Sequence, residues 1–118
     1  MKVEDYVRTI KGFGKVEKIE ILKKDTIIYL DSGITIDYIT KDFTKDELNK
    51  MYPSSSNIID LIEVGDIVNY GLLGGGMVIF KKDGEITTNT ILFSNLKEKD
   101  IKKVITKEQI ENLEYEVE

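Results

Sequence analysis

The sequence of 118 residues contains no cysteine and no histidine. Without cysteine the chain has no disulfide, no thiolate nucleophile and no thiolate-bound zinc. Without histidine it lacks the side chain that most often transfers protons near neutral pH and most often binds transition metals. These absences weigh against most enzyme chemistries. We therefore expect a non-enzymatic protein with no catalytic residues, no metal site and no cofactor.

Long apolar runs and an excess of basic residues are also missing. No apolar run approaches the roughly 18–20 residues that a membrane-spanning helix needs. Residues Met1–Asp5 lack the basic and then apolar pattern of a secretory signal, so we expect a cytoplasmic protein with no membrane partner. The net charge is −5 and the isoelectric point is near 4.9. This balance weighs against direct nucleic-acid binding, because such binders usually carry a basic face.

Short runs of β-forming residues lie on both sides of the single proline, Pro53. The segment Ile34–Ile39 shows the pattern most clearly, with Ile34, Ile36 and Tyr38 on one face of a strand. Turn signals separate the runs. Short strands joined by tight turns favour a small antiparallel barrel over a parallel sheet. We predict a mainly β fold with SH3-like barrel character.

Two segments carry helix signals instead. Thr44 and Glu47 have the spacing of a capping box, which predicts a short helix near residues 45–51. Pro53 ends this helix because it restricts the backbone of the preceding residue. Thr106 and Gln109 repeat the capping-box spacing and predict a second short helix near residues 106–113.

The apolar stretch Asn57–Val68 lies between two β-rich blocks. We predict an N-terminal β-barrel-like half, residues 1–56, and a C-terminal β half, residues 57–118, which closes with a helix and a strand. The two halves can form one compact domain. Lys41–Lys45 resembles Lys99–Lys103, which raises the hypothesis of two tandem SH3-like half-barrels, with chance similarity as the competing explanation.

A glycine cluster is the most unusual local feature of the second half. The glycines lead into the apolar strand Met77–Phe80 and not into a helix opened by a Lys-Ser/Thr pair, so they do not form a P-loop. Two interpretations stay open: a flexible or bulged hairpin loop, and a mobile apolar loop that closes on a partner. Tyr70 is predicted to be the tyrosine least fixed in a core. The candidate binding residues are Tyr70, Leu72, Leu73, Gly74, Gly75, Gly76, Lys81 and Lys82.

Three segments resemble a family of small proteins encoded in phages and prophages of low-GC Gram-positive bacteria. They are Tyr6–Thr9, Asn57–Val68 (NIIDLIEVGDIV) and Ile101–Tyr115 (IKKVITKEQIENLEY). The chain departs from that family at Gly71–Gly76, where a glycine cluster is not typical. The resemblance implies a phage accessory protein that acts inside the host bacterial cell, and it implies no particular activity.

Three functions follow as hypotheses. The first is an anti-CRISPR-like counter-defence protein that binds a host immune component, with acidic groups replacing nucleic-acid phosphates in a basic channel. The second is a homo-oligomeric sponge that sequesters a nucleotide signal, with phosphate held near Gly74–Gly76 by Lys81 or Lys82. The third is an SH3-like nucleic-acid module that uses Lys11, Lys15, Lys18, Lys23 and Lys24.

Overall fold

The computed structural model describes residues 1–71, 74–90 and 96–112. The chain forms two compact units by internal packing. The first comprises Met1–Thr9 and Phe13–Asn57, and the second comprises Ile10–Gly12 and Ile58–Glu118. The division into domains at residues 56 and 57 stays a prediction, because internal packing does not test independent folding.

The first sheet contains five strands in the order β4-β3-β2-β1-β5. The strands are β1 (Tyr6–Thr9), β2 (Gly12–Ile21), β3 (Asp25–Leu30), β4 (Thr35–Ile39) and β5 (Ser54–Ser55). A 3-10 turn at Thr40–Asp42 and helix α1 (Lys45–Met51) connect β4 to β5. The buried cluster beneath this sheet consists of Val7, Val16, Ile28, Leu30 and Ile36.

The second sheet contains four strands in the order β8-β7-β6-β9. The strands are β6 (Ile67–Asn69), β7 (Gly75–Lys82), β8 (Glu85–Thr88) and β9 (Lys103–Ile105). A 3-10 turn at Ile58–Leu61 precedes β6, a second at Glu98–Asp100 precedes β9, and helix α2 (Lys107–Glu111) follows β9. The buried apolar side chains of this unit are Ile59, Leu61, Ile62, Val68, Tyr70, Val78, Ile86 and Leu96.

The predicted mainly β architecture with two short helices is confirmed. Helix α1 has the predicted bounds, and the Thr44 hydroxyl accepts the Glu47 N–H at 3.2 Å as the capping box requires. Thr106 caps α2 in the same way. Both sheets have a meander whose first strand is joined on its other edge by the last strand. Within the described ranges no strand pairing closes either sheet into a barrel.

Several boundaries differ from the sequence-based prediction. The short strands β5 and β9 were not predicted, because two or three residues carry too little periodicity to be recognised. Alternation from Glu85 to Phe93 predicts one strand, and the structure shows it as β8 up to Thr88. Its last three residues, and the strand predicted over 114–118, lie outside the described residues.

The two units share one local arrangement at the start of their sheets. Asp5 and Asp66 each have a carboxylate that accepts the backbone N–H three residues earlier, at 3.1 and 2.8 Å. The second strand after each aspartate, β2 in the first unit and β7 in the second, contains a bulge just after a buried valine. The valines are Val16 and Val78. The N–H of each valine donates to the carbonyl of its aspartate at 2.8 Å.

The similar segments Lys41–Lys45 and Lys99–Lys103 begin alike and end differently, since Lys45 is the first residue of helix α1 and Lys103 is the first residue of strand β9. Each begins within a 3-10 turn that precedes the last strand of its sheet. The paired aspartates and the two 3-10 turns are what a tandem repeat of one unit predicts, whereas the different elements that follow the turns are not.

Candidate functional site

Tyr70 is not the accessible tyrosine that the sequence suggested. Its side chain is only 8% exposed. Its hydroxyl is hydrogen-bonded to Thr90 and lies 3.5 Å from the Thr88 hydroxyl. A buried phenol needs a hydrogen-bonding partner, and the end of β8 supplies these hydroxyls. Tyr70 is therefore a packed residue, and the expectation of an unpacked side chain was wrong.

The glycine cluster begins with a tight turn. The Gly74 N–H donates to the Gly71 carbonyl at 3.0 Å, and the Gly74 carbonyl accepts from the Tyr70 N–H at 2.9 Å. Gly71 and Gly74 have φ values of +87° and +102°, which favour glycine. Leu72 and Leu73, the predicted apolar tip of a mobile loop, lie outside the described residues.

The other two glycines are strand residues, contrary to the loop interpretation. Gly75 and Gly76 open β7 and pair with β6. A Cβ atom on Gly75 would lie 2.6 Å from the Val68 carbonyl oxygen, so the two backbones approach too closely for a side chain. A Cβ on Gly76 would lie 2.9 Å from the Asn89 Oδ1 atom. Close packing accounts for both glycines.

Within one chain, the glycines and lysines proposed to hold a phosphate do not lie side by side. Gly76 and Lys81 lie five residues apart on β7, which corresponds to about 17 Å along an extended strand. The Lys81 Nζ donates to the Asp60 carbonyl at 2.9 Å. Lys82 lies one residue further from the glycines. The structure therefore places the glycines and the two lysines at opposite ends of one strand.

Replacement of Tyr70 by phenylalanine tests its structural role. We expect a loss of about 1 kcal/mol in the free energy of unfolding, because the buried Thr88 hydroxyl and the exposed Thr90 hydroxyl lose a shared partner. Urea denaturation followed by circular dichroism measures this loss. Tyr29→Phe on β3 serves as the control and is expected to change stability by less than 0.5 kcal/mol. Equal stability of Tyr70→Phe and the wild type would contradict the packing role.

One side of the second sheet carries a row of apolar side chains. Ile67 on β6 pairs directly with Met77 on β7 and with Ile105 on β9. Directly paired residues in an antiparallel sheet place their side chains on the same face. The three therefore form a row across three strands.

Phe80 extends this row toward the β7–β8 hairpin. Its partner across the strands is Thr87, which alternates with the buried residues Ile86 and Thr88. Thr87 therefore points away from the buried side, and Phe80 shares that direction. We name the group Ile67, Met77, Phe80 and Ile105 the β7 face.

The β7 face is exposed. Met77 is 44% exposed, Phe80 is 56% exposed and Ile105 is 45% exposed. Ile79, the extra residue of the β7 bulge, is 52% exposed beside them. Single exposed apolar residues are normal, whereas a contiguous group is typical of an interaction surface.

Charged groups lie at the hairpin end of the β7 face. Phe80 and Thr87 line a shallow depression of about 370 Å³ together with Lys82, Asp83 and Glu85. An aromatic side chain beside a polar rim is the composition that protein interfaces favour at their centre and edge. This depression contains one of the predicted site residues, Lys82.

Comparisons with protein-family models, curated proteins and solved structures found no match to this chain. The candidate site is therefore assigned from the geometry of this chain alone. Across residues 1–71, 74–90 and 96–112, no three carboxylates come close enough to hold a metal ion. In the same part of the chain, no helix is both long and apolar enough to span a membrane.

Two of the five lysines of the nucleic-acid hypothesis, Lys15 and Lys18, lie beside aromatic and acidic side chains. Lys15 and Lys18 each lie over a tyrosine ring, with Nζ 5.0 and 5.6 Å from the ring centroids. The same ammonium groups lie 3.8 and 3.1 Å from glutamate carboxylates. Neighbouring carboxylates offset the positive charge that phosphate contacts would need. The surface around Lys15 and Lys18 therefore carries charges of both signs.

The β7 face was not among the sites predicted from the sequence. Its signal was present in the run Met77–Phe80, which is apolar at every position. An antiparallel strand with one solvated face normally alternates apolar and polar residues, so a continuous apolar run implies that both faces are apolar. Assigning the second face required the cross-strand pairs.

Proposed function

We propose that this protein acts by binding, without catalysing a reaction, and that it docks on a partner protein through the β7 face. The observation that carries this proposal is the apolar row Ile67–Met77–Ile105, extended by Phe80, in which Ile67 is half-buried and the other three side chains are exposed. Apolar area removed from water contributes about 25 cal/mol per Å², so an exposed apolar sheet face favours association. Phe80 is the main anchor in this proposal, since interface energies concentrate in large aromatic residues.

Charge indicates the kind of partner. The second unit carries twelve Asp and Glu residues and eight Lys residues, a net charge of −4. The first unit carries ten acidic and nine basic residues, a net charge of −1. An acidic unit attracts a basic partner and speeds the encounter at low ionic strength. We therefore propose a partner with a basic surface.

The resemblance to phage and prophage proteins supports a specific setting for this partner. In that setting the proposed partner is a host immune component with a basic nucleic-acid channel, which the protein would block stoichiometrically in the manner of an anti-CRISPR. The nucleotide sponge is the alternative. It has weaker support, since Gly74–Gly76 and Lys81 do not converge.

The test compares two variants that each add one carboxylate at an exposed apolar position. Phe80→Glu alters the β7 face, and Ile21→Glu alters β2 of the first unit, where Ile21 is 76% exposed. We expect Phe80→Glu to weaken capture of the defence protein about 30-fold, which corresponds to a hot-spot loss of about 2 kcal/mol. Ile21→Glu is expected to bind like the wild type. Quantitative pull-down from host lysate and phage plating on the defended host measure the two effects.

Circular dichroism is the accompanying control, and both variants should keep the wild-type spectrum because both positions are exposed. Undiminished capture by Phe80→Glu would rule out the β7 face as the docking surface. If the wild type captured no defence protein and gave no rescue of plating, the anti-defence role itself would be rejected.

A further inference from the structure

Helix α1 packs loosely against the first unit. A surface helix normally buries an apolar stripe against the core, but α1 has no buried residue. Beside it lies a groove of about 430 Å³. Its lining is Met1, Ile19, Ile21, Thr26, Ile28, Tyr38, Thr40, Lys45, Leu48 and Asn49. We name it the α1 groove.

The α1 groove combines an apolar floor with a few polar groups. Ile28 is buried at the floor, and Tyr38 and Leu48 are half-buried beside it. The Thr26 and Thr40 hydroxyls are hydrogen-bonded to each other at 2.7 Å and line the same groove. Small-molecule sites are typically clefts of about 300–1,000 Å³ with this composition. The groove has the size and lining of a ligand site.

A basic depression adjoins the α1 groove and shares Thr40 with it. Its volume is about 500 Å³, and Lys23, Lys24 and Lys41 contribute three ammonium groups to its lining. The Thr40 N–H donates to the Lys24 carbonyl at 2.9 Å, which holds the β2–β3 turn beside the end of β4. Ile39 and Asp25 complete the lining.

These lysines are grouped without matching carboxylates. Asp25 is the single acidic residue in the lining of the basic depression. Within the described residues, Lys23, Lys24 and Lys41 take part in no ion pair. The chain as a whole has more acidic than basic residues, so unpaired lysines side by side are a local exception. Three like charges around one depression favour an anion between them.

We propose that the α1 groove binds a small organic anion. The apolar body of this molecule lies over Ile28, Tyr38 and Leu48, and its phosphate or carboxylate group points past Thr40 toward Lys45 and the basic depression. Tyr38 and Leu48 are half-buried, so the molecule would remove their remaining apolar area from water, and its charge would neutralise the lysines; both effects favour binding. The site lies in the first unit, so it is independent of the β7 face.

The experiment titrates the full chain with four probes and follows binding by calorimetry and thermal shift. Hexyl phosphate and adenosine 5′-monophosphate carry a phosphate on an apolar or aromatic body, hexanoate carries a carboxylate, and inorganic phosphate has no body. We expect at least one of the first three to bind at least tenfold more tightly than inorganic phosphate. The ratio of hexyl phosphate to hexanoate affinity identifies the preferred anion.

Two lysine variants on helix α1 distinguish binding in the α1 groove from nonspecific attraction of anions to positive charge. Lys45 lines the α1 groove, whereas Lys50 does not. Lys45→Gln is expected to weaken the best probe at least fivefold, and Lys50→Gln is expected to leave its affinity within twofold of wild type. Asn49 also lines the groove. Asn49→Trp, which fills the groove, is expected to block every probe that has an apolar or aromatic body.

Three results would overturn the proposal. They are the absence of binding by all four probes, equal affinity for inorganic phosphate and hexyl phosphate, and equal weakening by Lys45→Gln and Lys50→Gln. The second result would mean that the lysines attract anions and that the apolar groove takes no part.

Discussion

Asp66→Ala is expected to lower the free energy of unfolding by about 3–4 kcal/mol. Asp66 is completely buried. Its Oδ2 atom accepts the Glu63 N–H at 2.8 Å, and its Oδ1 atom accepts the Lys107 N–H at 2.9 Å. The carboxylate thus connects the turn before β6 to the first residue of α2. Alanine would leave two backbone donors without their acceptor, and such donors are costly when buried.

Three further variants sharpen the Asp66 test. Asp66→Asn keeps one acceptor and is expected to lose about half as much stability. Asp5→Ala removes the equivalent aspartate of the first unit, which is 8% exposed and accepts the Lys2 N–H at 3.1 Å. We expect this variant to lower the free energy of unfolding by about 1–2 kcal/mol. Asp37 is an exposed residue of β4, and Asp37→Asn is expected to change the free energy of unfolding by less than 0.5 kcal/mol. Urea denaturation of all four gives the ranking, and a loss below 1 kcal/mol for Asp66→Ala would refute the proposed connection.

Gly75→Ala is expected to destabilise the protein by about 2–3 kcal/mol. The added Cβ would lie 2.6 Å from the Val68 carbonyl oxygen and 3.4 Å from the Asn69 Cα atom. Both are backbone atoms of β6, so the methyl group cannot be accommodated by a side-chain rotation. The β6–β7 pairing must shift instead, and this pairing aligns Ile67 with Met77 in the β7 face.

Gly74→Ala is the matched control for this prediction. A Cβ on Gly74 meets no atom within 4 Å, although its φ of +102° strains any other residue. We expect Gly74→Ala to lower the free energy of unfolding by about 1–2 kcal/mol through this backbone strain alone. The midpoint of urea denaturation should therefore fall further for Gly75→Ala than for Gly74→Ala. The opposite order would favour the mobile-loop interpretation of the glycine cluster.

The helices were predictable because their signals are local. Thr44 and Glu47 lie three residues apart and satisfy each other's backbone partners, and Pro53 restricts the chain just beyond. The same logic holds at Thr106 and Gln109. Each of these interactions closes within one turn of helix, so the surrounding structure is not needed to infer it.

Tyr70 shows where local inference failed. Its neighbours in sequence are a polar residue and a glycine, which suggested a loosely held side chain. Its burial depends on Thr88 and Thr90, eighteen and twenty residues away. Strands β5 and β9 were not predicted for the same reason. Each is formed by pairing with a strand that is distant in sequence, β5 with β1 and β9 with β6.

The candidate surfaces depended on tertiary structure more than the fold class did. Alternation, turn residues and capping boxes in the chain were sufficient to specify a mainly β protein with two short helices, because these signals act over a few residues. The β7 face and the α1 groove are formed by residues far apart in sequence, such as Ile67 with Ile105 and Ile28 with Leu48. Strand register and helix placement determine such neighbours, and both depend on long-range pairing and packing that periodicity does not encode.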